Sequence, residues 1–211
     1  PADVIDAVHG YGGVVMHDVI SVRHAEKALE QGVDGLIAVT AGAGGHAGTI
    51  NPLALIGEIR RFYDGPLALS GAISTGDSIL AAEAMGADFS YLGSRFLTAH
   101  EANVDEAYKQ MVCDSAAQDI VYTPAFSGVH GNYMAPSIEA AGFDLDKLDA
   151  MGKPTMEFKE TPSDEPRAWR DIWSAGQGIG TIDKITPAAE IVAQLEFEYN
   201  AAKARLRTQE K

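Results

Sequence analysis

The sequence predicts an α/β fold built on a parallel sheet. Four short apolar segments alternate with four helix-like segments over roughly the first 112 residues. The apolar segments lack an alternation of polar and apolar residues, which is typical of strands covered on both faces. Each predicted strand is followed by a glycine-containing or polar segment. A doubly wound sheet and a (β/α)8 barrel both fit this pattern, and both bind ligands at the carboxyl ends of their strands.

Cap residues define the four units. Ser21 and Asn51 are good N-caps for the first two helices, and Pro52 suits a first helical turn. Either Thr75 or Ser74 starts the third helix. Thr98 and Glu101 match the capping-box pattern and predict the start of the fourth helix. The predicted strands cover residues 13–17, 35–40, 66–70 and 89–92, and the predicted helices cover residues 22–31, 51–63, 75–86 and 98–112.

The rest of the chain is less regular, and we predict a domain boundary after residue 112, followed by an irregular and helical extension that packs on the first domain. Within the extension the sequence predicts irregular chain, a short helix with a turn, a surface loop and a last amphipathic helix. The apolar face of that helix packs either on the same chain or on a partner in an oligomer. These segments cover residues 114–131, 132–152, 153–167 and 186 onward.

Composition narrows the class of protein. The chain has 211 residues, 46% of them hydrophobic, which is enough for a substantial core. A net charge of -14 argues against nucleic acid or an anionic membrane as the main partner. Cys113 is the single cysteine, so no intrachain disulfide forms, as is usual in a reducing cytosol. No apolar run approaches the roughly 20 residues of a membrane span. We therefore predict a cytoplasmic protein whose main partner is neither nucleic acid nor a membrane.

The segment over residues 40–48 is the strongest candidate for a ligand site. It reads T-A-G-A-G-G-H-A-G and follows a predicted strand. Glycines let the backbone adopt positive φ and approach a ligand closely, and an imidazole exchanges protons near neutral pH. We favour a ligand-binding loop around His46 over the alternative of a mobile loop with a solvated histidine.

A phosphate site is predicted at two further strand ends. Gly71 and Ala72 follow the third strand, and Gly93 and Ser94 follow the fourth. Backbone N–H groups and a hydroxyl at such positions suit a phosphate. Arg95 either adds charge there or forms a structural salt bridge. His17 also ends a predicted strand; we expect a buried core histidine, with a position at the ligand site as the alternative.

Several chemistries lack their sequence signatures. No G-x-x-x-x-G-K-[ST] or G-x-S-x-G motif is present, which argues against nucleoside triphosphate hydrolysis and a serine nucleophile. The histidines are not combined with carboxylates at ligand spacing, so no dedicated metal site is expected.

Several motifs together resemble the nitronate monooxygenase family, also called 2-nitropropane dioxygenases. The residues that carry the resemblance are A-G-G-H-A-G at 43–48, L-S-G-A-I-S-T-G at 69–76, A-A-E-A-M-G-A-D at 81–88 and Y-L-G-S-R-F at 91–96. Two later segments, F-S-G-V-H-G-N-Y at 126–133 and W-S-A-G-Q-G-I-G at 173–180, are similar to the carboxyl-terminal half of that family.

The resemblance implies a (β/α)8 TIM barrel that binds FMN and oxidises alkyl nitronates, or related nitroalkanes, with O2. His46 is implied as the base beside the flavin. The implied FMN-binding residues are Ala43, Gly44 and Gly45 beside the flavin ring, and Gly71, Ala72, Gly93 and Ser94 around the phosphate. Ser70 is implied as a further FMN-binding residue. Two positions differ from the family pattern, because Ala72 replaces a glycine and Ser94 replaces a threonine.

The resemblance also implies that the chain holds only the second half of a barrel. Four βα units would be strands five to eight, and the amino-terminal half would be missing or untraced. A flavin-dependent enoyl-acyl-carrier-protein reductase, which uses NAD(P)H, resembles the same motifs and is the first alternative function. A non-catalytic binder of flavin or of another phosphate ligand is the second.

Overall fold

The computed structural model describes residues 2–151 and 170–208. The surface loop predicted over residues 153–167 lies outside the described residues. Seven strands are described: β1 (Met16–Val19), β2 (Gly35–Val39), β3 (Gly45–His46), β4 (Leu67–Ser70), β5 (Phe89–Tyr91), β6 (Ile120–Thr123) and β7 (Gly131–Met134). The α-helices of the same residues are α1 (Ala2–His9), α2 (Val22–Glu30), α3 (Pro52–Ile59), α4 (Gly76–Met85), α5 (Ser94–Leu97), α6 (Glu106–Asp114), α7 (Ala135–Ala140) and α8 (Ala188–Thr208).

The chain forms two compact units that interleave along the sequence. The first unit comprises Pro1–Ala41, Gly48–Leu92 and Val192–Lys211, and the second comprises Gly42–Ala47 and Gly93–Ile191. Most of the glycine loop therefore belongs to the second unit, although the residues on either side of it belong to the first. The domain boundary after residue 112 stays a prediction.

The first unit is built on a parallel sheet with the strand order β1-β2-β4-β5. This confirms the predicted α/β class with a parallel sheet. The order follows the chain without the reversal that a doubly wound sheet requires. With right-handed crossovers, such an order puts the connecting helices on one face of the sheet. The core under that face contains fully buried aliphatic side chains, among them Leu36, Leu55, Ile56, Ile59, Leu67 and Leu69.

The predicted caps of the first three helices are confirmed. The Ser21 hydroxyl accepts a hydrogen bond from the His24 N–H, and the Asn51 side chain accepts one from the Leu53 N–H. Thr75 caps α4, which ends at Gly86 with φ 102°. Local hydrogen bonding within one turn is enough to determine these boundaries, so the sequence reveals them.

The predicted fourth helix is wrong at its start. Residues 98–105 are not an α-helix, and α6 begins at Glu106 with Asp105 as its N-cap. Thr98 does not cap a following helix, because its hydroxyl donates to the Arg95 carbonyl of the preceding turn at 3.1 Å. Glu101 instead accepts a hydrogen bond from the Ala188 N–H, at the start of α8, at 2.9 Å.

The second unit contains an antiparallel sheet that the sequence did not predict. Its strand order is β3-β7-β6. Residues 114–131 were expected to be irregular but include β6, and residues 132–152 were expected to be a helix and turn but begin within β7. These strands have two to four residues, so no local periodicity marks them.

The last helix is confirmed, and in the first unit it packs on α4. A Cβ added to Gly76 would lie 2.1 Å from the Tyr199 backbone nitrogen. The Gly76 N–H also donates to the Glu198 carboxylate at 2.8 Å. Glycine is therefore required here because two helix backbones meet. Across the described ranges, none of the helices is both long and apolar enough to span a bilayer.

The expectation that His17 is a core histidine is wrong. His17 lies on β1, an edge strand among the described strands, and its side chain is exposed. Val19 is the only buried residue of β1. β1 is therefore not covered on both faces, in contrast to the expectation for the predicted strands.

Candidate functional site

The glycine loop is ordered by pairing with the second sheet. Gly42 and Gly45 have φ values of 89° and 73°, which favour glycine because a side chain is strained there. Gly45 and His46 form β3 and pair with Asn132 and Gly131 of β7. The alternative of a mobile loop is not supported, since the loop is part of a sheet.

His46 is exposed and is held on one side by a serine. Its Nε2 atom lies 2.8 Å from the Ser127 hydroxyl oxygen. The Ser127 hydroxyl donates to the Val129 carbonyl at 2.9 Å, and the Tyr133 hydroxyl donates to the Ser127 oxygen at 3.3 Å. Tyr133 is fully buried, and this burial raises the pKa of its phenol. Tyr133 therefore remains a hydrogen-bond donor throughout the neutral range.

Two further side chains fix the backbone beside His46. The buried Asn132 amide donates to the Ala43 carbonyl at 2.6 Å. The Tyr122 hydroxyl donates to the Ala47 carbonyl at 2.9 Å, and its ring stacks on His130 with 5.1 Å between ring centroids. Both ends of the segment that carries His46 are thus tied to β6 and β7.

Gly176 joins the predicted Ser94 to the glycine loop. The Gly176 N–H donates to the Ser94 hydroxyl oxygen at 2.8 Å, and the Gln177 N–H donates to the Gly42 carbonyl at 2.8 Å. A Cβ added to Gly44 would lie 2.8 Å from the Gly176 nitrogen, and one added to Gly176 would lie 2.6 Å from the Gly42 oxygen. These glycines allow two backbone segments to meet.

The predicted phosphate residues after β4 lie in the first unit. Ser70 ends β4, and its carbonyl accepts a hydrogen bond from the Thr40 hydroxyl at 2.9 Å. Gly71 has φ 147°, and a Cβ there would lie 2.2 Å from the Thr40 hydroxyl oxygen. Ala72 has φ 54°, which is unusual for a residue with a side chain. The chain therefore makes a sharp turn at this strand end.

The predicted phosphate residues after β5 lie in the second unit. Gly93 is exposed, and a Cβ added to it would meet no atom of the described chain within 4 Å. Protein packing does not require a glycine there, so the position leaves room for a ligand to approach the backbone. Arg95 is only 3% exposed.

Sequence reasoning identified His46 but missed the residues that hold it. These are Ser127, Asn132, Tyr133, Tyr122 and Gly176. The only signal was that three of them occur in F-S-G-V-H-G-N-Y and that Gly176 occurs in W-S-A-G-Q-G-I-G. An exposed imidazole whose ring is held by a hydrogen bond is suited to proton transfer with a bound small molecule.

Known proteins are similar to this chain over most of its length. The profile of the nitronate monooxygenase family matches residues 1–198. The chain is 30% identical to a nitronate monooxygenase of Paraburkholderia phytofirmans over 230 residues, an alignment that covers 98% of the chain. The chain spans only 60% of that relative's length.

Two solved structures share the fold. The structure of FabK from Thermotoga maritima has a TM-score of 0.78 at 24% identity, with 99% of this chain and 68% of that chain covered. A nitroalkane oxidase from Streptomyces ansochromogenes has a TM-score of 0.76 at 23% identity, with 97% and 62% covered.

Proposed function

Since the chain belongs to the nitronate monooxygenase family, we propose that it is part of an FMN-dependent enzyme that oxidises alkyl nitronates, or related nitroalkanes, with O2. The observation that carries this proposal is the exposed His46 imidazole, which is held by Ser127 beside a glycine-rich backbone. The family match supports the redox class, and the fixed imidazole supports proton transfer from a carbon acid.

The residues present fit the proposed cofactor. In the second unit, the exposed Gly93 and the open space around it suit the close approach of a phosphate group. In the first unit, Ala72 is exposed at the turn after β4 and is proposed as a further phosphate residue. Gly71 and Ser94 complete the proposed phosphate residues, and Ser70 is proposed as a further FMN-binding residue. Ala43, Gly44 and Gly45 are proposed to line the flavin ring.

The protein's part in the reaction is positioning and proton transfer. FMN, when bound, supplies the electron acceptor. His46 takes the acidic proton from the carbon next to the nitro group of a nitroalkane: the C–H bond breaks, an N–H bond forms, and the electron pair delocalises onto the nitro group to give the nitronate. A substrate supplied as the nitronate needs no such step.

We also propose that the parallel sheet is part of a larger (β/α)8 barrel. The strand order follows the chain, as it does in a barrel. The two outer strands present exposed side chains, with His17 on β1 and with Phe89 and Tyr91 on β5 at 57% and 56% exposure. Large exposed apolar residues on an edge strand favour a further covering partner.

Replacement of His46 tests the proposed base. In the full-length protein we expect His46→Asn to retain the flavin absorbance spectrum but to lose about 10²- to 10⁴-fold in turnover of a neutral nitroalkane, the usual contribution of a general base. The measurement is O2 consumption with nitroethane. Unchanged turnover would contradict the assignment of His46, and loss of the flavin would point to a binding role.

An enoyl-acyl-carrier-protein reductase is the second candidate, because the same glycine loop and histidine resemble that class. The net charge of -14 argues against it, since an acidic carrier protein prefers a basic docking surface. Anaerobic mixing of the full-length protein with NADH or with a nitronate separates the two: rapid bleaching of the flavin by NADH favours the reductase. In a non-catalytic binder, neither NADH nor the nitronate would bleach the flavin.

A further inference from the structure

We propose that Asn132 is a positioning residue that turns the N–H group of Gly44 toward a bound ligand, as a donor to an acceptor that gains negative charge in the reaction. That acceptor is either a carbonyl oxygen of the flavin ring or an oxygen of the substrate's nitro group. The catalytic consequence rests on the proposed function. The structural part, the direction of two peptide groups, follows from hydrogen bonds within the second unit.

Asn132 fixes the peptide group that joins Ala43 to Gly44. Asn132 is only 3% exposed, and its side-chain amide lies 2.6 Å from the Ala43 carbonyl oxygen. A carbonyl oxygen can only accept, so the NH2 group of Asn132 is the half of the amide that faces it. In a trans peptide the N–H points opposite to the C=O. The Gly44 N–H is therefore directed away from Asn132.

The preceding peptide group, between Gly42 and Ala43, is fixed in the same way. The Gly42 carbonyl accepts a hydrogen bond from the Gln177 N–H at 2.8 Å. The Ala43 N–H is therefore directed away from Gln177. Two successive peptide groups of the glycine loop thus have carbonyls that the second unit holds, and their N–H groups point away from the groups that hold them.

Within the described ranges, neither of these two N–H groups has a hydrogen-bond acceptor. Ala43 is only 4% exposed, and a buried backbone N–H is almost always paired. Gly44 is exposed, so a ligand can approach its backbone. These observations favour an acceptor from outside the described residues. Neighbouring backbone donors suit an atom that carries negative charge.

Negative charge develops on both candidate ligands in the proposed reaction. Proton removal by His46, two residues after Gly44, places charge on the oxygens of the nitro group. The flavin ring, when FMN is bound, gains charge as the electron acceptor. A donor whose direction is fixed in advance stabilises such charge without reorganisation. Asn132 acts through the Ala43 peptide group and needs no contact with either ligand.

The first measurement is the midpoint potential of the flavin in the full-length protein carrying FMN, without substrate. Asn132→Ala removes the donor to the Ala43 carbonyl and frees the peptide group to rotate. If the N–H groups face the flavin ring, the oxidised form should become favoured about tenfold, a fall of about 30 mV for a two-electron couple. Asn103→Ala, at an exposed asparagine of the second unit, is the matched control and should leave the potential unchanged.

The second measurement is the oxidation of nitroethane and of preformed ethyl nitronate. If the N–H groups face the nitro group, Asn132→Ala should leave the midpoint potential unchanged, raise the KM for the nitronate and lower kcat/KM for nitroethane, each about tenfold. The potential therefore assigns the acceptor to the flavin or to the substrate. If Asn132→Ala does not fold, Asn132→Leu, which branches at the same carbon but has no donor, should give the same shifts.

The structural part has a readout that needs no FMN. The ¹³C shift of the Ala43 carbonyl should move upfield in Asn132→Ala, because the carbonyl loses its hydrogen bond. An unchanged shift overturns the proposal, even if the full-length protein binds no FMN and the proposed function fails.

The failures are distinguishable. A full-length protein that carries FMN but oxidises neither substrate contradicts the proposed function, and the midpoint potential of Asn132→Ala then decides the role of Asn132. A merely structural role would lower the free energy of unfolding and change neither the potential nor the kinetics. Wild-type potential together with wild-type kinetics in Asn132→Ala or Asn132→Leu overturns the proposal.

Discussion

Glycines are found at their positions in this chain for different physical reasons. Gly44 and Gly176 allow two backbone segments to come into contact, whereas Gly93 has no neighbouring atom of the described chain that would exclude a side chain. Both kinds of glycine look the same in the sequence. Only the neighbouring atoms in the structure distinguish a glycine that close backbone packing requires from one that leaves room for a ligand.

We predict that Gly176→Ala destabilises the protein by about 1–3 kcal/mol, the usual cost of forcing a methyl group into a packed site. The added carbon would meet the Gly42 carbonyl oxygen at 2.6 Å. Urea unfolding measures the effect. Gly57→Ala is the matched control, because Gly57 lies in α3 with open space around it, and this change should stabilise by about 0.5–1 kcal/mol. Equal effects of the two substitutions would contradict the packing argument.

Ala72 allows a second prediction at the residue scale. Its φ of 54° places a side chain in the left-handed region, which costs roughly 1–2 kcal/mol for an L-residue. We expect Ala72→Gly to raise the free energy of unfolding by about 1 kcal/mol, because the relief of strain outweighs the greater freedom of unfolded glycine. Urea unfolding measures this change in the free energy of unfolding. A loss of stability in Ala72→Gly would show that this turn is not strained.

At the scale of elements, helix ends were predictable where the capping side chain is a near neighbour in sequence. Ser21, Asn51 and Thr75 each satisfy an N–H group within three residues. The start of α8 is different, because Glu101 caps Ala188 from 87 residues away. Strands β6 and β7 were missed for another reason, because each has only four residues, too few to show a local period.

The Glu101 contact makes the stability of this helix end depend on pH. The Ala188 N–H, more than any other cause, lowers the pKa of Glu101 in the folded protein. The folded state thus favours the carboxylate, and the resulting stability is present above the unfolded pKa of about 4.3 and is lost as the pH falls through the lower folded value.

We therefore expect Glu101→Gln to lower the free energy of unfolding at pH 7. The free energies of unfolding of the variant and the wild type should become more similar as the pH falls below about 4. Chemical denaturation at a series of pH values measures this. Glu196→Gln is the control, because Glu196 is an exposed residue of α8, the helix whose start Glu101 caps. Its effect on the free energy of unfolding should not depend on pH in this way. A difference that is independent of pH would refute the role of the carboxylate charge.

At the scale of the whole molecule, the chain spans 60% of a curated relative, and its parallel sheet has exposed apolar side chains at an edge. We predict that residues 1–211 alone bind FMN far more weakly than the full-length protein, because part of the proposed barrel and its flavin contacts would be missing. Equilibrium titration with FMN, followed by flavin fluorescence, compares the two. Tight one-to-one binding by the 211 residues would contradict the half-barrel proposal.

The sequence by itself determined the α/β class, the first three helix caps and the loop that carries His46. Those features depend on the period of apolar residues and on hydrogen bonds within one turn, which are local properties. Only the tertiary structure decided that His46 is held by Ser127, that Asn132 and Tyr122 fix its loop, and that Gly176 meets Gly44. These contacts join segments 80 or more residues apart, or depend on an antiparallel sheet whose short strands have no local signature. The loop that carries His46 could therefore be predicted from the sequence, whereas the residues that contact His46 could not.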